Sequence, residues 1–106
     1  MPMAILEPAL SETVGATLAL ALREATDEAV RRGVPKQAAI DFMLGHINIE
    51  LAIAFEEQPG GKFSDGALQA IAQARPTIFR DNWLANVFKP EAVLASVRDI
   101  CNPPNP

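Results

Sequence analysis

Residues 35–57 read PKQAAIDFMLGHINIELAIAFEE, and this stretch decides the fold. At about 100° per residue, Ile40, Met43, Leu44, Ile47, Leu51 and Phe55 fall on one broad apolar arc. Phe42, Ile49 and Ile53 form a second arc, and Ala38, Gly45 and Ala52 gather on a side open to close approach by another backbone. A helix that is apolar on several sides is one that is buried on several sides. At ~1.5 Å per residue the stretch spans about 34 Å, the width of a small domain. The expectation is a long, central, buried rod.

Outward from the rod, the neighbouring segments follow the same period. Upstream, Leu10, Val14, Leu18, Leu22, Ala25 and Ala29 recur at spacings of four and three, predicting a helix from Ser11 to Arg32. Gly33 is suited to cap it, and Pro35 to open the next helix, where its missing N–H costs nothing. So short a connection predicts an antiparallel hairpin. Downstream, 58–63 with Pro59-Gly60-Gly61 reads as a turn or loop. Ser64 caps a third helix over 65–75 with Leu68, Ile71 and Ala72 inward, which Pro76 interrupts. Residues 77–89 read as packed irregular chain or short helical turns, and Pro90 opens a last helix to Ile100 with Val93, Leu94, Val97 and Ile100 inward. No strand-period run occurs. The fold class is therefore all-α: a compact helical domain of four or more helices around a long central helix. Residues 1–10 are expected as an extended lead-in or interdomain crossing, 11–101 as the helical domain and 102–106 as a flexible tail.

A chain of 106 residues suffices for one core and not for two. Its 49% apolar content is high for a free monomer of this size and predicts a covering partner, a homodimer or a companion domain. The net charge of −4, with Arg31-Arg32 the only adjacent basic pair, argues against nucleic acid. A single cysteine, Cys101, excludes an intramolecular disulfide and fits a reducing, cytoplasmic setting. The apolar window 38–55 contains Asp41, His46, Asn48 and Glu50, which argues against a membrane span.

Chemistry is best sought where polar groups interrupt the rod. His46, Glu50 and Glu57 share a narrow stripe between the two arcs, and the four-residue spacing of His46 and Glu50 brings their side chains together. In a partly buried setting an imidazolium would pair with that carboxylate. A structural interface pair, an acid–base or binding group facing a substrate, and a metal site completed by Glu7 or Glu12 all remain open. Asn48 points about 160° away from His46. Glu7, Ser11 and Glu12 suit helix capping, and Arg80 in Arg80-Asp81-Asn82-Trp83 suits either a surface ion pair or a carboxylate clamp. No strand, glycine-rich turn and helix N-terminus follow one another, so no dinucleotide fingerprint exists within the chain.

The strings EPALSETV (7–14), EATDEAVRRGVP (24–35), LGHINIELA (44–52), FSDGAL (63–68) and IFRDNW (78–83) resemble the carboxyl-terminal domain of the phosphogluconate dehydrogenase-like NAD(P)-dependent oxidoreductases. The resemblance covers about Ile5 to Ile100. It implies a two-domain parent, of which an amino-terminal Rossmann domain binds NAD or NADP, while the helical domain supplies dimer contacts and one wall of a sugar-acid site. Some relatives are similar to oxidoisomerases of branched sugar acids. The lysine–asparagine arrangement of phosphogluconate dehydrogenases has no counterpart here. The resemblance implies His46 and Glu50 as catalytic groups and Asn48, Arg80 and Glu12 as substrate-binding ones, with no cofactor or metal held by this chain. The chain is then expected to be one part of a longer enzyme, inactive alone; the alternatives are a stand-alone helical dimerisation module and a small helical metal-binding protein.

Overall fold

The computed structural model describes Met1–Cys101, and every regular element among these residues is helical. Helix α1 (Met3–Pro8) runs into a π-helical segment (Ala9–Ala16) and then into α2 (Thr17–Arg31); α3 (Lys36–Ala54), α4 (Asp65–Ile78), α5 (Trp83–Phe88) and α6 (Pro90–Cys101) follow. The chain divides into two compact units, Met1–Ala21 with the chain from Arg80 on, and Leu22–Phe79. The tail expected at 102–106 lies outside the described residues.

In the first unit α6 lies against α1, α5 and the π-helical segment. Val93 is completely buried and Ala9 is 1% exposed. The first ten residues are not an extended lead-in. Pro2, with extended backbone at ψ 148°, ends the non-helical chain, and its carbonyl accepts from the N–H groups of Ile5 and Leu6. Ser11 therefore sits mid-helix, where its hydroxyl donates back to the Glu7 carbonyl at 2.9 Å instead of capping. Pro8 offers no N–H to the Ala4 carbonyl, and the helix widens to π turns directly after it. Gly15 permits that widening: a Cβ there would lie 3.1 Å from the Leu10 carbonyl oxygen. The wider turns also break the predicted apolar face, leaving Leu10 and Leu18 at 47% and 39% exposed while Ala9 takes the buried place.

The second unit holds the turn between α2 and α3. Gly33, at φ 111°, ends α2 in a Schellman motif in which Val34 N–H donates to Ala29 and Gly33 N–H to Val30. The same motif ends α3 three residues short of the predicted Glu57: Glu57 N–H reaches Ala52 and Glu56 N–H reaches Ile53, with Glu56 in the left-handed region at φ 58°. Ser64 caps α4 as predicted, its Oγ accepting from Ala67 N–H at 3.1 Å. Pro76 does not interrupt α4, which continues to Ile78, because so close to the C-terminus its ring orphans a single carbonyl.

The rod exists, but its burial does not. On α3 only Ala39 is buried. Phe42, Leu44, Ile49, Leu51 and Phe55 are 51–74% exposed. Ala39 and Thr26 are the buried residues of this unit, and both line one apolar groove. On the opposite side Leu44, Leu51 and Phe55, seven and four residues apart, fall within an arc of about 40°. They form an apolar seam, interrupted by Asn48, whose three apolar side chains are each more than half exposed. The expected inward side of α4 is likewise open at Leu68 and Ile71.

Candidate functional site

His46 stands on the third turn of α3, on the same side as Phe42 and close in angle to Ala39. The partly buried setting and the pairing with Glu50 expected for it are both absent: His46 and Glu50 are exposed, and no ion pair joins them among the described residues. Phe42, one turn back, holds the ring instead. His46 Nδ1 lies 2.9 Å from the Phe42 carbonyl oxygen, and the two rings stack at 4.1 Å between centroids and 28° between planes. Solvent around the exposed carboxylate of Glu50 removes the incentive for pairing. Phe42 is the residue that sequence reasoning assigned only to an apolar arc. The signal that would have found it is the same four-residue spacing, read toward the N-terminus.

Phe42 also lines an apolar groove of about 430 Å³, together with Thr26 and Ala29 of α2 and Ala38, Ala39 and Met43 of α3. The Thr26 hydroxyl is spent on the Leu22 carbonyl at 2.8 Å, so this groove offers shape and apolar surface without a free polar group from Thr26. Ala38 takes part in it, whereas Gly45 has nothing within 4 Å of where its Cβ would be, so no backbone comes close there.

The remaining candidates are solvent-facing. Asn48 is exposed on α3, on the far side from His46 as the spacing requires. Glu12 and Arg80 are exposed and belong to the other unit. Glu12 lies in the first turn of the π-helical segment and Arg80 in the connection before α5, where its carbonyl accepts from Trp83 N–H at 3.1 Å. Of the five, the structure brings His46 and Glu50 onto adjacent turns of one helix face. Among the described residues no three histidine, cysteine or acidic side chains gather as a metal site would need. The strongest electrostatic feature lies elsewhere, on α2, where hydrogen bonds from Arg31 and then Arg32 hold the Glu28 carboxyl below its ordinary range.

Comparison with known proteins places this geometry in context. The family model for the phosphogluconate dehydrogenase (decarboxylating) C-terminal domain matches residues 1–101. D-Apionate oxidoisomerases from Cupriavidus necator and Rhizobium rhizogenes are 54% and 50% identical over 98 residues, 92% of this chain. One from Blautia hydrogenotrophica is 35% identical over 105 residues. A crystal structure of a semialdehyde dehydrogenase NAD-binding protein from Cupriavidus necator, in complex with calcium and NAD, matches 92% of this chain at 54% identity with a TM-score of 0.85. The chain spans about a third of the length of these relatives, 35–36%.

Proposed function

The chain belongs to the phosphogluconate dehydrogenase (decarboxylating) C-terminal domain family, and from that premise we propose that it is the substrate-side and dimerisation part of an NAD-dependent sugar-acid oxidoisomerase acting on D-apionate or a close relative. The observation that carries this reading is the 54% identity to a D-apionate oxidoisomerase, sustained over 92% of the chain. NAD is bound by sequence outside these residues, since a pyrophosphate cradle needs a strand and a glycine-rich turn, and no strand occurs among the described residues. The 106 residues alone are then inactive, and the lone cysteine suits the cytoplasm.

Oxidising an alcohol moves a hydride from carbon and a proton from the hydroxyl. The dinucleotide accepts the hydride, and a side chain has to take the proton. We assign that role to His46, whose ring is solvent-facing and fixed by Phe42. Glu50, one turn further along, is assigned to stabilise the imidazolium once bound substrate excludes water from the pair. Asn48, Glu12 and Arg80 are assigned to substrate binding, Arg80 as the donor to a carboxylate.

The seam of Leu44, Leu51 and Phe55 is assigned to dimerisation. A helical stripe of regular spacing is self-complementary when a second copy runs antiparallel to it, as a two-fold interface requires. The helical run Met3–Arg31 is by length and composition apolar enough to cross a membrane. Glu7 and Glu12 within the run favour protein over lipid as the cover for its apolar side.

The test is His46→Ala in the full-length protein that contains this segment, assayed with D-apionate and NAD. Loss of a general base lowers kcat/KM by about 10²–10⁴-fold. Near-normal kcat/KM with an unchanged melting temperature would remove His46 from the reaction.

A further inference from the structure

The hydrogen bond at His46 carries more than a position. A backbone carbonyl oxygen can only accept, so the 2.9 Å contact between His46 Nδ1 and the Phe42 carbonyl requires the hydrogen to sit on Nδ1. In the neutral ring that leaves the lone pair on Nε2. Phe42 contributes a second restraint through its side chain. Its ring lies 4.1 Å from the imidazole and close to parallel, which blocks one face of His46 and limits rotation about χ2. The Phe42 carbonyl has two lone pairs, one engaged by the i→i−4 bond that builds α3 and one available to Nδ1–H, so the side-chain bond costs the helix nothing. Phe42 itself is 68% exposed and contributes little to any core, so its ring is not explained by packing alone.

We infer that Phe42 is a positioning residue that holds His46 as the Nδ1–H tautomer, so that His46 takes its proton or hydrogen bond from a substrate hydroxyl through Nε2. The hydroxyl contact rests on the reading of His46 as the proton acceptor. The tautomer does not, and it is measurable on this chain without substrate, cofactor or the rest of an enzyme. It also decides the geometry of the reaction, because the attacking lone pair sits on the ring nitrogen remote from the backbone, where a substrate has access.

His46 is the only histidine, so long-range ¹H–¹⁵N spectra of the ¹⁵N-labelled chain contain one imidazole and need no assignment. At a pH where the ring is neutral, the ratio of Nδ1–H to Nε2–H forms should exceed that in an unstructured peptide of residues 42–50 by about two- to tenfold, the ratio one net hydrogen bond sustains. A ratio equal to or below the peptide's overturns the inference. Phe42→Ala and Phe42→Leu, both at an exposed position, should bring the ratio back toward the peptide value, whereas Leu68→Ala on α4 should leave it raised. A raised ratio retained in both Phe42 variants would assign the effect to the backbone alone and overturn the positioning role of the ring. If the ratio is raised while His46→Ala in the full-length protein keeps its activity, the proton-acceptor reading falls and the tautomer stands.

Discussion

Replacing Leu51 by aspartate probes whether a second copy of the chain covers the outer face of α3. Leu51 is 51% exposed, so about half of the ~1.5–3 kcal/mol available from burying a leucine is still unrealised in the single chain. A two-fold interface counts each substitution twice, and lost apolar burial alone therefore amounts to roughly 1.5–3 kcal/mol. Two unpaired carboxylates brought into an apolar seam add at least about 2 kcal/mol each after relaxation. The sum, about 6 kcal/mol, is some four orders of magnitude in dissociation constant. A dimer of submicromolar affinity would become a monomer at every practical concentration. Sedimentation velocity over a concentration series reads this directly, and circular dichroism checks that the helices survive, as they should at a half-exposed position. Wild-type chain that sediments as a monomer throughout, or Leu51→Asp that dimerises as wild type does, would refute the assignment of the seam to self-association.

Val93, completely buried where α6 meets the rest of its unit, should be the most costly aliphatic to truncate. Val93→Ala removes two methylene equivalents and leaves a small cavity, about 2 kcal/mol in all, read as a lower urea midpoint at fixed protein concentration. Glu28 gives a pH signature whose sign follows from its partners: hydrogen bonds from Arg31 and Arg32 lower its folded-state value below the ordinary 4.5, so its contribution is complete above that value and is lost as pH falls through the lowered one. Glu28→Gln should flatten the acid side of the thermal-stability profile below about pH 4.5, and parallel wild-type and variant profiles there would show that the cluster contributes nothing.

Local chemistry was legible wherever a residue acts on its own neighbours. Gly33 ends α2 because the Schellman turn needs a left-handed residue, Ser64 caps α4 through a bond three residues away, and Pro90 opens α6 at a position that needs no donor. Proline by itself does not mark a helix end in this chain. Pro8 and Pro76 both lie inside helices, one accommodated by π turns and the other by nearness to a helix end. Neither accommodation is visible in propensity, because each depends on where the remaining hydrogen bonds go. The candidate site was half legible: the stripe containing His46 and Glu50 follows from helical spacing, but spacing admits partners one turn to either side. The ring is held by Phe42, since a neighbouring carbonyl needs no desolvated setting to bind, whereas an exposed carboxylate gains little from a pair already hydrated.

By itself the sequence determined that the regular elements are helices, that the chain turns between α2 and α3 at Gly33, and which apolar residues share a side of α3. These follow from the 3.6-residue period and from turn chemistry, which act over a few residues. The tertiary structure decided which of those apolar sides is covered. Periodicity records that a face is apolar but not whether its cover comes from within the chain, and hydrophobic burial is non-directional, satisfied equally by any apolar partner. In this chain Ala39 lies buried at the groove it lines with Thr26, while Leu44, Leu51 and Phe55 stay exposed. The rod that the sequence presents as the buried centre of a domain keeps, in its own unit, an apolar side exposed at Leu44, Leu51 and Phe55.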